Sequence, residues 1–359
     1  MENFINVDKN MIVNTTIGDV DVKWYDVRKA PFSVHGLYKP ETEPFFHRMP
    51  FDVAAATSEA VESLQQESAG GRVRFSTDSP YIAIRAKFRV VGRSPHLTLV
   101  STSGFDLYMD GEFGSHFVKE FRMPYNMTDS YEQIIHLDRG AMRSFTISMP
   151  VHAVVETLEV GVNPGSVIKE AIAYRDIKPV IFYGSSIVHG TAASRPGNIY
   201  PSIISRDLNI DHLNLGFSGN AKGETAIAEW MATLPMSIFV CDYDHNAPST
   251  EHLEATHYNM YEIIRKKNPD VPYIMITRPN YWYVCKNCEE VMKRRDVIMS
   301  SYLKARQTGD KNVWFIDGMG FFADYRQNEY VVDGAHPQDA GFIRMAEGIG
   351  SLIRYILQK

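Results

Sequence analysis

The sequence predicts two folding units: an all-β sandwich of jelly-roll type over residues 1–170, then a three-layer α/β unit built on a parallel sheet over residues 171–359. Three observations carry this. Up to about residue 170 the apolar residues fall in short β-branched and aromatic runs broken by turn residues, the pattern of a sandwich or jelly roll. After residue 176, continuous apolar strands alternate with helical segments, which means a parallel sheet covered on both faces. The last segment, from about Gln338 to Leu357, sets Phe342, Met345, Ala346, Ile349, Leu352, Ile353 and Ile356 at three- and four-residue spacing, so it is a helix with one apolar face.

In the first unit the expected strands are 71–76, 81–90, 96–100, 105–109 and 143–149, several of them alternating polar with apolar. Asp110-Gly111 reads as a turn, and one helix is expected over about Ala54 to Leu64. In the second unit the expected strands are 179–183, 212–215, 236–241, 273–277 and 313–317. The helices between them are expected at 198–208, 224–232, 250–267 and about 288–308. The units are expected to meet within 161–179, where Asn163-Pro164-Gly165 makes a turn.

With 44% apolar and 22% charged residues the chain has an ordinary globular composition. Its net charge of −6 argues against a nucleic-acid or anionic-membrane surface, which needs clustered Lys and Arg. No run approaches the roughly 18 apolar residues of a spanning helix. The first residues lack a basic-then-apolar leader, so the chain reads as cytoplasmic. A leader removed beforehand would make it periplasmic or secreted. Cys241, Cys285 and Cys288 do not make a disulfide framework, and no second pair at zinc-like spacing accompanies Cys285-x-x-Cys288. The pair reads as free thiols at a helix start.

In an open parallel sheet, ligands bind beyond the carboxyl ends of the strands. The first expected strand of the second unit leads into Gly184-Ser185-Ser186-Ile187, and the second into Gly216-Phe217-Ser218-Gly219-Asn220. The third leads into Asp242-Tyr243-Asp244-His245-Asn246, and the fourth into Arg278-Pro279-Asn280-Tyr281-Trp282-Tyr283. Asp333-Gly334-Ala335-His336-Pro337 precedes the last helix. Ser, Gly, Asn, Asp and His thus converge on one rim, which is a hydrolase constellation. A Ser hydroxyl needs a base to become a nucleophile, and an Asp can orient that base. Ser185 stays open beside Ser186 at this level, and Ser186 also fits a helix N-cap.

These blocks, over about residues 178–357, resemble those of the SGNH (GDSL-like) hydrolases. The resemblance implies Ser186 as nucleophile, Asp333 and His336 as the rest of a triad, and an oxyanion hole from the Ser186 and Gly219 N–H groups and the Asn246 side chain. Ser185 stands where the family usually has Asp, and Asp-His-Asn-Ala stands in place of Gly-x-Asn-Asp. Members with an N-terminal β domain resemble carbohydrate esterases. The implied reaction is therefore hydrolysis of acetyl or other short acyl esters of a small molecule or oligosaccharide, with no metal and no organic cofactor. A lipid or thioester acylhydrolase and a catalytically silent sugar-binding protein are the rival readings. Arg278, Tyr281 and Trp282, on the same rim, are candidate substrate contacts. Ser103-Gly104-Phe105-Asp106-Leu107-Tyr108 is a candidate edge of the β domain toward the site.

Overall fold

The computed structural model describes residue 13 and residues 17–111, 114–138, 140–279, 288–324 and 326–358. The N-terminal half forms two antiparallel sheets packed face to face. One has the order β1 (Lys23–Asp26), β9 (Val154–Val162), β4 (Tyr81–Val90), β7 (Ser130–His136). The other has the order β10 (Ile168–Lys169), β3 (Arg72–Thr77), β8 (Arg143–Ser148), β5 (Phe105–Gly111), β6 (Gly114–Phe121), with β2 (Ser33–His35) also on β3. Alternate residues point between the sheets, as the period of two requires. Ile82, Ile84 and Phe88 of β4 and Leu158, Val160 and Val162 of β9 meet Val73, Phe75, Phe105, Leu107, Phe145 and Ile147 of the facing sheet. Their neighbours Arg85, Lys87 and Arg89 are exposed.

Two local expectations need correction. The run expected as a strand at 96–100 is instead the approach to a short helix, α3 (Leu99–Ser103). Thr98 caps it by accepting the Ser101 N–H at 3.2 Å, and Gly104 ends it. A side-chain cap overrode the β propensity of Leu-Val. The helix expected at 54–64 is two helices, α1 (Phe51–Thr57) and α2 (Glu59–Leu64), because Ser58 leaves the helical conformation and caps the second one.

The C-terminal half is a five-stranded, all-parallel sheet in the order β12 (His212–Gly216), β11 (Val180–Gly184), β13 (Ile238–Asp242), β14 (Tyr273–Ile276), β15 (Val313–Ile316). Side chains alternate between its two faces. Ile181, Tyr183, Phe239, Cys241, Tyr273 and Met275 belong to one core with α6 (Thr225–Met231), α7 (Thr250–Lys267) and α8 (Cys288–Gln307). Val180, Phe182, Ile238, Val240, Ile274 and Ile276 belong to the other, with α5 (Tyr200–Leu208) and α9 (Asp339–Ile356). The chain runs from β11 to β12 on one side and then returns to β13 on the other. The ends of β11, β12 and β13 therefore form a topological switch point, where crevices open in such sheets. No helix among the described residues is long and apolar enough to cross a membrane.

The two halves are bolted together beside that crevice. Arg48, 2% exposed, donates to the carbonyls of Leu64 (2.6 Å) and Glu67 (2.9 Å) in its own half. It also donates to Asn214 (3.1 Å) and Gly216 (2.6 Å) at the end of β12. Gly70, at φ +78°, lies so close that a Cβ would stand 2.6 Å from Asn214 Cβ. A second junction joins Asp106 of β5 to the segment 194–198. Asp106 Oδ2 accepts the Gly197 N–H at 2.8 Å and lies 3.4 Å from Arg195 Nε. The Tyr108 hydroxyl reaches Asn198 Oδ1 at 3.4 Å.

Candidate active site

β11 ends at Gly184, where a Cβ would come 2.0 Å from the Asp242 carbonyl oxygen of the neighbouring strand, so only glycine lets the two strand ends stay this close. The chain then turns directly into a one-turn helix, α4 (Ser186–His189). Ser185 is its cap: fully buried, with Oγ accepting the Ile187 N–H at 3.2 Å. Of the two adjacent serines, Ser186 faces the crevice.

Ser186 Oγ lies 2.9 Å from His336 Nε2. His336 Nδ1 lies 2.7 Å from Asp333 Oδ2, while the backbone N–H groups of His336 (2.8 Å) and Ala335 (3.0 Å) donate to Asp333 Oδ1. The carboxylate can only accept, so Nδ1 carries the proton and Nε2 offers its lone pair to Ser186. Partial burial alone would raise the Asp333 carboxyl, but the backbone and side-chain N–H groups of His336 outweigh it and hold the group below its ordinary value. The loop is set by Gly334, at φ +81°, and by the Val332 N–H donating to the His336 carbonyl at 2.9 Å. Asp339, first residue of α9, accepts the Ser194 N–H (2.8 Å) and Asn198 Nδ2 (2.8 Å). The start of the helix just beyond His336 is thus tied to the 194–198 segment that Asp106 and Tyr108 hold.

Gly219 follows β12 at φ +72°, with nothing within 4 Å of where a Cβ would stand. Asn246 follows β13. The Ala221 N–H, which can only donate, bonds its Oδ1 at 3.2 Å. The amide nitrogen is therefore the end of Asn246 left to donate. Arg294 of α8 clamps this turn through the carbonyls of Asp244 and Ala247, both at 2.8 Å. Ser186, Gly219, Asn246 and His336 all line one open cleft of about 810 Å³.

Arg278 stands behind the cleft rather than on its described wall. Its N–H donates to Asp244 Oδ2 at 3.1 Å. Desolvation of the His245 ring, then Arg278 beside it, pushes that histidine well below its ordinary value. Tyr281, Trp282 and Cys285 lie outside the described residues. The buried Cys241 is a free thiol.

The opposite wall was not foreseen residue by residue. Val90, Val91, Gly92, Arg93, Ser94, His96, Leu97 and Thr102 come from the sandwich, with Glu67 and His152 beneath them. Glu67 Oε2 stands 3.2 Å from His152 Nδ1 and 2.9 Å from His189 Nε2. This trio is the one group of potential metal ligands among the described residues. His189 Nε2 also lies 3.0 Å from the Val151 carbonyl oxygen. Facing two acceptors, that nitrogen carries a proton and has no lone pair for an ion, so the trio fits a hydrogen-bonded cluster better than a metal site. Burial would raise Glu67, but His189 and His152 reverse this and hold it far below the carboxylate range. Burial, then Arg48, pushes His189 down to about 4, so it is neutral.

Residues 177–354 match the GDSL-like lipase/acylhydrolase family, and residues 22–168 match the N-terminus of SGNH-hydrolase-type esterases. The Gly-x-Asp-Leu-Tyr pattern of that second region is Gly104-Phe105-Asp106-Leu107-Tyr108 here. No curated protein sequence matches the chain. Among solved structures, the chain is 28% identical to a Bacteroides ovatus protein described as a GDSL-like lipase, with 94% of this chain and 98% of that one covered and a TM-score of 0.84. A salicylyl-acyltransferase from a tetracycline biosynthetic pathway shares the fold at 18% identity and a TM-score of 0.75, over 91% and 95% of the two chains. So does a family two carbohydrate esterase from Clostridium thermocellum, solved with cellohexaose, at 15% identity and a TM-score of 0.57, over 81% and 94%. The chain belongs to the SGNH (GDSL-like) hydrolases, with the β-sandwich N-terminal region found in esterases of that group.

Proposed function

We propose that the protein is a serine esterase that removes acetyl or other short acyl groups from carbohydrates through an acyl-enzyme on Ser186. The observation that carries this is the unbroken chain Ser186 Oγ–His336–Asp333, with contacts of 2.9 and 2.7 Å, at the switch point of the sheet. His336 Nε2 takes the Ser186 proton as Oγ bonds to the ester carbon. Asp333 keeps the Nδ1 proton in place and stabilises the imidazolium. The oxyanion is met by the N–H groups of Ser186 and Gly219 and by the Asn246 amide, three donors aimed at charge that exists only in the transition state. The ester C–O bond then breaks, and His336 returns the proton to the leaving alkoxide. Water, deprotonated by the same histidine, attacks the acyl-enzyme and releases the acid and free Ser186.

The sugar assignment rests on the cleft. It is open, and the polar groups of Glu67, His152, Thr191, Ser218 and Asn246 share its lining with Val90, Val91 and Leu97. Such a wall suits a polyhydroxylated alcohol better than a long acyl chain. The fold shared with a carbohydrate esterase that was solved with cellohexaose supports the same reading. The test is acetate release from 4-nitrophenyl acetate and from acetylated sugars by the wild type and by Ser186→Ala. Turnover lost in the variant supports the mechanism. A folded wild type that hydrolyses long acyl esters but no acetate rules out the short-acyl assignment.

A further inference from the structure

Five side chains close a ring on the cleft wall. Glu67 Oε2 meets His152 Nδ1 (3.2 Å), and His152 Nε2 meets Thr191 Oγ1 (3.2 Å). Thr191 Oγ1 meets Ser218 Oγ (3.3 Å), Ser218 Oγ meets His189 Nδ1 (3.0 Å), and His189 Nε2 returns to Glu67 Oε2 (2.9 Å). Glu67 and His152 come from the sandwich half. The other three come from the segments after β11 and β12. All but the fully buried His189 line the cleft that also holds Ser186.

The protons of this ring can be counted. His189 Nε2 faces only acceptors, so it holds the proton of that neutral ring, and Nδ1 must accept from the Ser218 hydroxyl. The Ser218 proton is thereby spent. His152 Nδ1 faces the Glu67 carboxylate, which can only accept, so that nitrogen is a donor. Thr191 has one proton and two ring neighbours, His152 Nε2 and Ser218 Oγ. Each hydroxyl oxygen has two lone pairs, and within the ring Thr191 Oγ1 and Ser218 Oγ each accept at most one hydrogen bond, so acceptor capacity is left over on the cleft wall. A spare acceptor in a partly buried wall favours a ligand that brings an O–H to it.

The spare acceptor lies close to the chemistry. Ser218 precedes Gly219, and the Thr191 N–H bonds the Ser186 carbonyl oxygen at 3.0 Å. We propose that Thr191, Ser218 and His152 form a subsite that accepts a hydrogen bond from a free hydroxyl neighbouring the ester, so that the enzyme selects partly acylated sugars or polyols. The inference rests on the esterase reading and adds the substrate feature that the site recognises.

The experiment compares kcat/KM for three acetates: a monoacetylated sugar with a free hydroxyl beside the ester, its deoxy counterpart lacking that hydroxyl, and 4-nitrophenyl acetate as reference. The wild type is expected to favour the hydroxylated sugar over the deoxy sugar by roughly 5- to 30-fold, the worth of one or two hydrogen bonds. Thr191→Val, which keeps the side-chain shape and removes the hydroxyl, is expected to bring that ratio close to one. Ser218→Ala serves if Thr191→Val does not fold. A wild type that hydrolyses both sugars equally overturns the subsite and leaves the esterase standing. So does a variant that loses activity on all three substrates in parallel, since that is a structural effect. A folded wild type inactive on all three overturns the esterase reading and the subsite with it.

Discussion

Gly197 sits directly on Asp106: its N–H donates to Asp106 Oδ2 at 2.8 Å, and a Cβ at Gly197 would stand 2.5 Å from Tyr108 Cε2 and 2.7 Å from that same carboxylate oxygen. The Asp and Tyr of the Gly104–Tyr108 motif therefore form a seat for a glycine in the other half of the molecule. Through Ser194, Asn198 and Asp339 this seat also steadies the helix start next to His336. Gly197→Ala is expected to lose about 1–3 kcal/mol of stability, the usual cost of overpacking, and to lower kcat on an aryl acetate. Thermal unfolding and steady-state kinetics check both. Unchanged kcat in a destabilised variant would confine the motif to a structural role.

Asn246→Asp tests the proposed oxyanion role of this side chain apart from its contact with Ala221. Aspartate still accepts the Ala221 N–H but has no N–H to offer an oxyanion. Loss of one oxyanion donor typically lowers kcat about 10²- to 10³-fold. That fall, with KM little changed, is the expected result. A variant with wild-type kcat would remove Asn246 from the oxyanion hole.

Arg48→Met tests the bolt between the halves. The substitution leaves the carbonyls of Leu64, Glu67, Asn214 and Gly216 without this donor, and it removes the positive charge facing Glu67. Breaking such a buried arrangement costs about 3–5 kcal/mol, to be read from urea unfolding midpoints. A shift near zero would mean that the Arg48 hydrogen bonds do not hold the halves together.

Asp242 gives a pH prediction. Burial first, then the adjacent Asp244, pushes its carboxyl up to about 8. The native state thus keeps a proton that the unfolded chain releases near pH 4. This group's contribution is fully present below the unfolded value and is lost as pH rises through about 8, with a slope of up to about 1.4 kcal/mol per pH unit. Asp242→Asn cannot ionise. Its stability relative to wild type is expected to improve steadily from pH 5 to pH 8.5 in urea unfolding. Parallel curves for the two proteins would show that Asp242 is ionised throughout.

The features legible in the sequence are those whose information is local. Ser186, Gly219 and Asn246 each sit just past a continuous apolar strand, and Asp333 and His336 lie three apart before an amphipathic helix, so strand ends and short motifs located them. The parallel sheet was legible for the same reason: its strands are buried on both faces and read as unbroken apolar runs. Glu67 and His152 were not legible. They stand in loops 85 residues apart and meet only because the sandwich folds and docks. The run at 96–100 misled because Leu and Val suit a strand, while the deciding feature was a single threonine cap.

The cleft has two makers. One wall is fixed by the demands of the reaction, at strand ends where glycines such as Gly184 tolerate no added atom. The other is supplied largely by the 90–97 segment of the sandwich, in which Val90, Arg93 and His96 are exposed. Surface connections accept insertions and substitutions that strand ends cannot. Descendants of this protein could therefore change what they recognise by redrawing one loop, generation after generation, while inheriting the machinery that breaks the bond.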